Sequence, residues 1–136
     1  MEQAAAAGDA VVPAYTHLQQ AQAIPLGHHL LAHAFALTRD LDRLQAAIRN
    51  VDRSPLGACA MAGTPHPIDR EQTASALGFS DVIENAMDAV AAKDHLQEAV
   101  AACAICMATM SRMAEELVLW STSELGLVRL ADHHTT

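Results

Sequence analysis

The segment LLAHAFALTRDLDRLQAAIRNV, residues 30–51, decides the fold. Its apolar residues alternate between intervals of four and three positions, at Leu30, Ala34, Leu37, Leu41, Leu44, Ile48 and Val51. This heptad spacing places them along one face of an α-helix. Pro25 suits the first turn of such a helix, because the N–H that proline lacks has no helical partner there. The pattern predicts one long helix over residues 24–52.

A second heptad stripe follows in residues 96–117, at Leu96, Val100, Cys103, Met107, Met110, Ala114 and Leu117. Asp88 and Asp94 suit the positive N-terminal end of a helix. We therefore predict a second long helix over residues 88–121.

The segment between the stripes, residues 53–87, contains SPLGACAMAGTPHPID and cannot continue a helix, because prolines and glycines interrupt it. It is predicted to be a loop that holds one short helix, residues 70–77. Asp69 and Gln72 have the spacing of a capping box at its start, and Gly78 closes it. Residues 1–23 are predicted to be a helix tail and a loop around Thr16–Gln19, and residues 122–136 a tail.

The predicted architecture is all-α, with residues 1–136 as one partial domain. A helix of ~30 residues is ~45 Å long, whereas a globule of this size has a radius of gyration near ~14 Å. Two such helices cannot cover both stripes by themselves, so we expect other helices, in the same chain or in neighbouring subunits, to pack on them.

Composition excludes several functional classes. The net charge is −8, with 16 acidic and 8 basic residues and no basic cluster, which argues against nucleic-acid binding. The uncharged run at residues 99–111 is shorter than the ~20 residues that a membrane-spanning helix needs. No leader pattern is visible at the N-terminus, which predicts a cytoplasmic protein. Cys59, Cys103 and Cys106 are expected to be reduced, with the C-x-x-C pair serving as small core residues rather than redox or zinc ligands.

The segment VPAYTHLQQAQAIPLGHH, residues 12–29, lacks charged residues but is rich in hydroxyl, amide and imidazole groups. Thr16, His17, Gln19 and Gln22 can donate and accept hydrogen bonds without a fixed charge. Such a cluster is typical of a site for a polar ligand.

Several motifs together resemble the argininosuccinate lyases, including the related delta-crystallins. The motifs are PAYTHLQQAQ, GHHLLAH, LTRDLDRL, SPLGACAMAGTPHPIDRE, LGFS, NAMDAVAAKD and MSRMAEELVLWSTSELGLVRLAD, in the order of the family and over nearly the whole chain. The resemblance implies the fumarase and aspartase superfamily, with long-helix bundles, homotetramers and active sites built from three subunits. It implies reversible β-elimination of argininosuccinate to arginine and fumarate, without a metal or organic cofactor.

The resemblance assigns roles to three residues. It places His17 among the acid–base or leaving-group residues, Thr16 on a substrate carboxylate, and Gln19 on the histidine or the substrate. Without the family match, His17 would be read as a capping or solvent-facing residue. His29 and His33 lie four positions apart, but without an H-E-x-x-H glutamate or an evident third ligand we expect His28, His29 and His33 to be packing residues and predict no metal site.

The chain also departs from the family pattern. Ala14 and Cys59 stand where glycine is usual, Ala86 replaces a common serine and Lys93 an arginine. The first two replacements put a Cβ at positions where we expect a tight backbone. In the family, a loop with the catalytic serine follows the segment ADHHTT, and substrate-binding segments precede the first motif. The sequence of this chain contains neither the serine loop nor those substrate-binding segments. The resemblance therefore predicts that the isolated chain is inactive.

Two alternatives remain open at the level of sequence. The chain could be a non-catalytic helical assembly module or a crystallin-like relic. It could also belong to another lyase of the superfamily, such as adenylosuccinate lyase or a cycloisomerase, although HLQ-x-AQ and SPLG favour the arginine-pathway enzymes.

Overall fold

The computed structural model describes residues 1–134. Two helices of 26 and 27 residues dominate it, α2 and α5. The elements in chain order are α1 Glu2–Ala6, β1 Val11–Thr16, β2 Gln19–Pro25, α2 Leu26–Val51, β3 Arg53–Ser54, α3 Arg70–Ala76, β4 Asp81–Val82, α4 Ala86–Ala91, α5 Asp94–Trp120 and a 3-10 turn at Asp132–His134. The last two residues of the predicted tail lie outside the described residues.

The chain forms two compact units. The first comprises Met1–Asp40 and the chain from Ile105 onward, and the second comprises Leu41–Ala104. Both long helices contribute residues to each unit, so the assignment of the chain to one partial domain stays a prediction.

In the first unit, β1 and β2 form an antiparallel hairpin with a register shift between Ala14 and Tyr15. The predicted loop around Thr16–Gln19 is the tip of this hairpin. Helix α2 begins directly after β2, at Leu26, where the N–H of Leu26 donates to the carbonyl of Ala10 at 2.8 Å. This bond satisfies an N–H that has no partner within the helix.

In the second unit, the segment between the long helices is held by one arginine. The guanidinium of Arg70 donates to the carbonyls of Leu56 at 2.9 Å, Ile83 at 2.8 Å and Glu84 at 3.4 Å. Arg70 opens helix α3, whose N-cap Asp69 accepts from the Gln72 N–H at 2.8 Å, the bond expected from the sequence. The short strands β3 and β4 pair in parallel close by, and Ser54 is fully buried.

The prediction of one continuous helix over residues 88–121 was wrong, because α4 and α5 are separate helices. Ala92 leaves the helical region with ψ at 130°. The ammonium group of Lys93 donates to the carbonyls of Val90 at 3.2 Å and Ala92 at 2.9 Å, which replaces helical bonds at the end of α4. Helix α4 also begins earlier than predicted, at Ala86, because the Asn85 side chain accepts from the Met87 and Asp88 N–H groups.

The buried apolar residues are small in both units. Apart from Trp120, they are the alanines Ala36, Ala47, Ala58, Ala74, Ala89 and Ala102. Many stripe residues stay exposed instead, including Ile48 at 67%, Val100 at 69% and Met107 at 60%. Within residues 1–134, no helix combines the length and the apolar character required to span a membrane.

Candidate active site

His17 and Leu18 form the two-residue turn at the tip of the β1–β2 hairpin. Their φ angles are 53° and 59°, in the left-handed region, and the flanking Thr16 and Gln19 pair across the strands. Two-residue hairpin turns with two positive φ angles normally use asparagine, aspartate or glycine, because a Cβ costs energy there. The hairpin thus holds an exposed imidazole in a strained backbone position, and such strain is concentrated at functional sites.

The tip of the hairpin borders a cleft of about 540 Å³ in the first unit. The cleft also receives side chains from α2, from the end of α5 and from the segment after α5. Its lining consists of Tyr15, His17, Leu18, His29, Glu116, Leu119, Trp120, Thr122, Glu124 and Leu125. It therefore combines an apolar wall with imidazole, carboxylate, phenol and hydroxyl groups, which is the composition of a site for a small polar molecule.

Two polar side chains of this lining, His29 and Glu116, form a cluster with His33, which does not line the cleft. The Nε2 atoms of His29 and His33 each lie 2.7 Å from the same oxygen, Oε2 of Glu116. The side chains of His29 and His33 are 23% and 13% exposed, and that of Glu116 is 40% exposed. Helical spacing explains the histidine pair, because residues four positions apart on α2 lie on one face.

Aromatic contacts fix the orientation of the histidine rings. The ring of His29 lies 4.6 Å from the ring of Trp120, centroid to centroid, and 5.4 Å from the ring of His33 in an edge-to-face arrangement. Trp120 is buried, and its carbonyl accepts from the N–H groups of Leu127 and Val128 at 2.9 and 3.1 Å. The segment after α5 is thereby held against the cleft.

The electrostatics of the cluster favour an ionised carboxylate. Burial raises the pKa of Glu116, but hydrogen bonds from His33 and His29 and the charge of the imidazoles outweigh burial and bring the pKa below its ordinary value. A negative charge on this lining residue of the cleft can orient imidazole N–H groups or stabilise a cation.

The structure separates the residues singled out from the sequence. His17 lines the cleft, whereas the exposed side chains of Thr16 and Gln19 flank it on the hairpin and are not part of its lining. His28 is exposed on α2, away from the cluster, while His29 and His33 both belong to it.

Glu116 was missed by the sequence reasoning, which found no third ligand for His29 and His33. The structure supplies such a third group, because the possible ligand atoms of His29, His33 and Glu116 all lie within 4.8 Å of one another; the expectation of no metal site stays a prediction. The only signal in the sequence is the spacing of Glu116 and Trp120, four positions apart on one helix face. It could not identify the partner, since Glu116 is separated from both histidines by more than half of the chain.

Comparison with known proteins extends the sequence resemblance. A family model described as "Lyase" matches residues 1–136. The argininosuccinate lyase of Symbiobacterium thermophilum is 54% identical over 127 residues, which are 93% of this chain and 28% of that protein. The argininosuccinate lyase of Methanosphaerula palustris is 56% identical over 122 residues, which are 90% of this chain and 25% of that protein. The chain thus spans about a quarter of the length of these relatives.

Solved structures show the same fold. EDDS lyase in complex with formate superimposes with a TM-score of 0.92 at 37% identity, over 96% of this chain and 26% of that one. An EDDS lyase variant with bound fumarate gives a TM-score of 0.91 at 37% identity. The predicted long-helix fold class of the fumarase and aspartase superfamily is confirmed, and so is the resemblance to argininosuccinate lyases. The chain belongs to the lyase family whose model matches residues 1–136.

Proposed function

We propose that this chain forms part of a carbon–nitrogen lyase that cleaves argininosuccinate to arginine and fumarate, a step of arginine biosynthesis. Relatives named argininosuccinate lyase, about half identical over 90% or more of this chain, support the reaction class. The position of His17 carries the proposal, because it puts an exposed imidazole at the rim of a cleft whose apolar wall also holds polar groups.

The chemistry requires two proton transfers. A base removes the proton on the carbon next to a carboxylate, and an acid protonates the guanidinium nitrogen that leaves. A histidine suits either transfer near neutral pH, because the unperturbed pKa of an imidazole is about 6.5. In the proposed site, His17 transfers a proton at the leaving group.

Thr16 and Gln19 serve the same site as binding residues in this proposal. They flank the His17–Leu18 turn and both side chains are exposed. The hydroxyl of Thr16 can donate to a substrate carboxylate, and the amide of Gln19 can hold the substrate or the imidazole. No cofactor is needed for such an elimination.

The proposal includes a cytoplasmic homo-oligomer, a tetramer in the form that the family resemblance implies. Exposed stripe residues on α2 and α5 support self-association, since large apolar patches mark interaction surfaces. The free thiols of Cys59, Cys103 and Cys106 suit a reducing compartment.

A chimera tests the role of His17. The matching segment of the Symbiobacterium thermophilum argininosuccinate lyase would be replaced by this chain, and fumarate release would be followed by ultraviolet absorbance. We expect the chimera to be active and His17→Asn to lower its kcat by about 10²-fold or more, the scale of a positioned proton-transfer group. Thr16→Ala should mainly raise KM.

His28→Asn is the matched control, because His28 is an exposed histidine outside the cleft. It should leave kcat near that of the parent chimera. Near-normal turnover of an active chimera with His17→Asn would contradict the proposed role. Activity with adenylosuccinate in place of argininosuccinate would contradict the substrate assignment.

A further inference from the structure

The cluster of His29, His33 and Glu116 has the geometry of an incomplete coordination sphere. Two imidazole nitrogens and one carboxylate oxygen lie within 4.8 Å of one another. Both nitrogens are 2.7 Å from the same carboxylate oxygen. Around a tetrahedral zinc ion with ligand distances of about 2.0–2.1 Å, neighbouring ligand atoms are roughly 3.3 Å apart. Small side-chain rotations that move the oxygen outward by about 0.6 Å would therefore admit an ion.

The surroundings hold the ligands in place. His29 and His33 project from one face of α2, so the helix backbone sets their spacing. The contact of His29 with the buried Trp120 restricts the ring of His29. Less conformational entropy of the histidines therefore remains for an ion to remove, and preorganised ligands bind more tightly.

The ligand types select the kind of metal. Imidazole nitrogen suits zinc, copper, nickel and iron, whereas calcium and magnesium prefer a sphere made only of oxygen atoms. Two histidines with one glutamate are a recurrent zinc set that leaves a fourth position open. Here His29 and Glu116 also line the cleft, so an open position would be accessible from it.

We propose that His29, His33 and Glu116 bind one divalent transition-metal ion, with Zn²⁺ as the best match. The ion takes the place of the two hydrogen bonds between the imidazoles and the carboxylate; each imidazole binds it through Nε2 and keeps one proton, on Nδ1. Binding weakens in acid, because the ligand atoms must be deprotonated. Two of the ligands line the same cleft as His17, but the proposal does not rest on the lyase function, because its test uses binding alone.

Titration of the full 136-residue chain with Zn²⁺, followed by calorimetry, tests the proposal. Because Cys59, Cys103 and Cys106 can also bind zinc, the parent protein for the titration carries serine at all three positions. We expect one ion per chain with a micromolar or lower Kd. Co²⁺ should give the visible absorption of a low-symmetry four- or five-coordinate site in this cysteine-free protein, which excludes thiolate ligands.

Variants then locate the ion. His33→Ala and Glu116→Gln should each weaken Zn²⁺ binding by at least about tenfold. Loss of a residue that only contacts a metal ligand already costs about tenfold or more, and loss of a ligand itself should cost at least as much. His28→Ala, on the same helix but outside the cluster, should leave the affinity unchanged.

Two results would overturn the proposal, one from the parent protein and one from the variants. Absence of one-to-one Zn²⁺ binding below about 100 μM, or binding that His28→Ala weakens as much as His33→Ala, would show that the cluster is only a hydrogen-bonded pair of histidines on a glutamate. Circular dichroism shows whether each variant is folded. If a variant is unfolded, the Zn²⁺ titration of the folded parent protein decides whether the proposal holds.

Discussion

His17, Leu18 and Cys59 hold their backbones in the left-handed region without being glycine. His17 and Leu18 lie at the rim of the cleft, where the strain positions an imidazole. Cys59 lies in the loop of the second unit, at φ 56°, where the family pattern has glycine and the sequence predicts a tight backbone. The prediction is confirmed at Cys59, whereas Ala14 is not among the residues with positive φ.

Replacing Cys59 by glycine should stabilise the chain. The left-handed conformation costs a residue with a Cβ about 1–2 kcal/mol, and the greater freedom of glycine in the unfolded chain offsets about 0.5–1 kcal/mol of the gain. Cys59→Gly should therefore raise the free energy of unfolding in urea by about 0.5–1 kcal/mol. Cys59→Ala loses the thiol but keeps the Cβ, so an equal gain for alanine would contradict the explanation.

Glu116 should make the stability of the folded chain depend on pH. Its folded pKa is lowered, so its contribution is fully present above the unfolded pKa of about 4.3 and is lost as the pH falls through the lower folded value. The Tm of the wild type should exceed that of Glu116→Gln at pH 5–6, and the difference should shrink as the pH is lowered below about 4.3.

Other titratable groups face the same cleft and need a control. These groups are Tyr15, His17, His29 and Glu124, and His33 contacts Glu116 without lining the cleft. Glu115→Gln removes the neighbouring exposed carboxylate and controls for the change in net charge. A difference between wild type and Glu116→Gln that stays constant down to pH 3 would show that the histidines do not stabilise the ionised carboxylate.

At the scale of elements, Arg70 connects three carbonyl groups that no regular secondary structure satisfies. It also lies against Gly57, where an added Cβ would come within 2.6 Å of its side chain. Hydrogen bonds from a charged donor contribute about 1.5–3 kcal/mol each, less where water reaches them.

Arg70→Met should therefore lower the free energy of unfolding by about 2–3 kcal/mol, since the carbonyls of Leu56 and Ile83 lose their donor. Arg49→Met, at an exposed position on α2 in the same unit, should change it by less than about 0.5 kcal/mol. Urea titrations compare the two variants. Equal small effects would show that water replaces the guanidinium without cost.

The sequence predicted the elements whose signals are local. The heptad stripe predicted α2 to within two residues at either end, and Asp69 identified the start of α3. The break between α4 and α5 was missed because Ala91, Ala92 and Lys93 favour helix, and the Lys93 ammonium that satisfies the freed carbonyls gives no local pattern. The hairpin was missed because its turn uses His17 and Leu18 rather than glycine or asparagine.

The candidate site could be predicted only in part for a related reason. His17 stands in a motif, so the family resemblance found it. The partners of His29 and His33 depend on how distant parts of the chain meet, and a single carboxylate in an acidic helix segment does not show which histidines it will contact. Glu116 could be found only once the fold was known.

At the scale of the whole molecule, the long helices leave their predicted stripes open. Exposed stripe residues are Leu41, Ile48 and Val51 on α2 and Leu96, Val100, Met107 and Met110 on α5. The residues of these helices that are buried instead include three alanines, Ala36, Ala47 and Ala102. Leucine, isoleucine and methionine offer far more apolar area than alanine, so the larger part of the hydrophobic free energy of these helices is available for association.

We therefore expect the purified chain to self-associate at micromolar concentration, as measured by light scattering. Ile48→Glu with Val100→Glu places charges on both stripes and should shift the chain to smaller species, because a charge buried without a partner opposes association. Met61→Glu, on an exposed methionine of the loop outside the stripes, should leave the mass unchanged. A folded monomer of the unaltered chain would contradict the expectation. Equal dissociation by Met61→Glu would show that net charge, rather than the stripes, controls assembly.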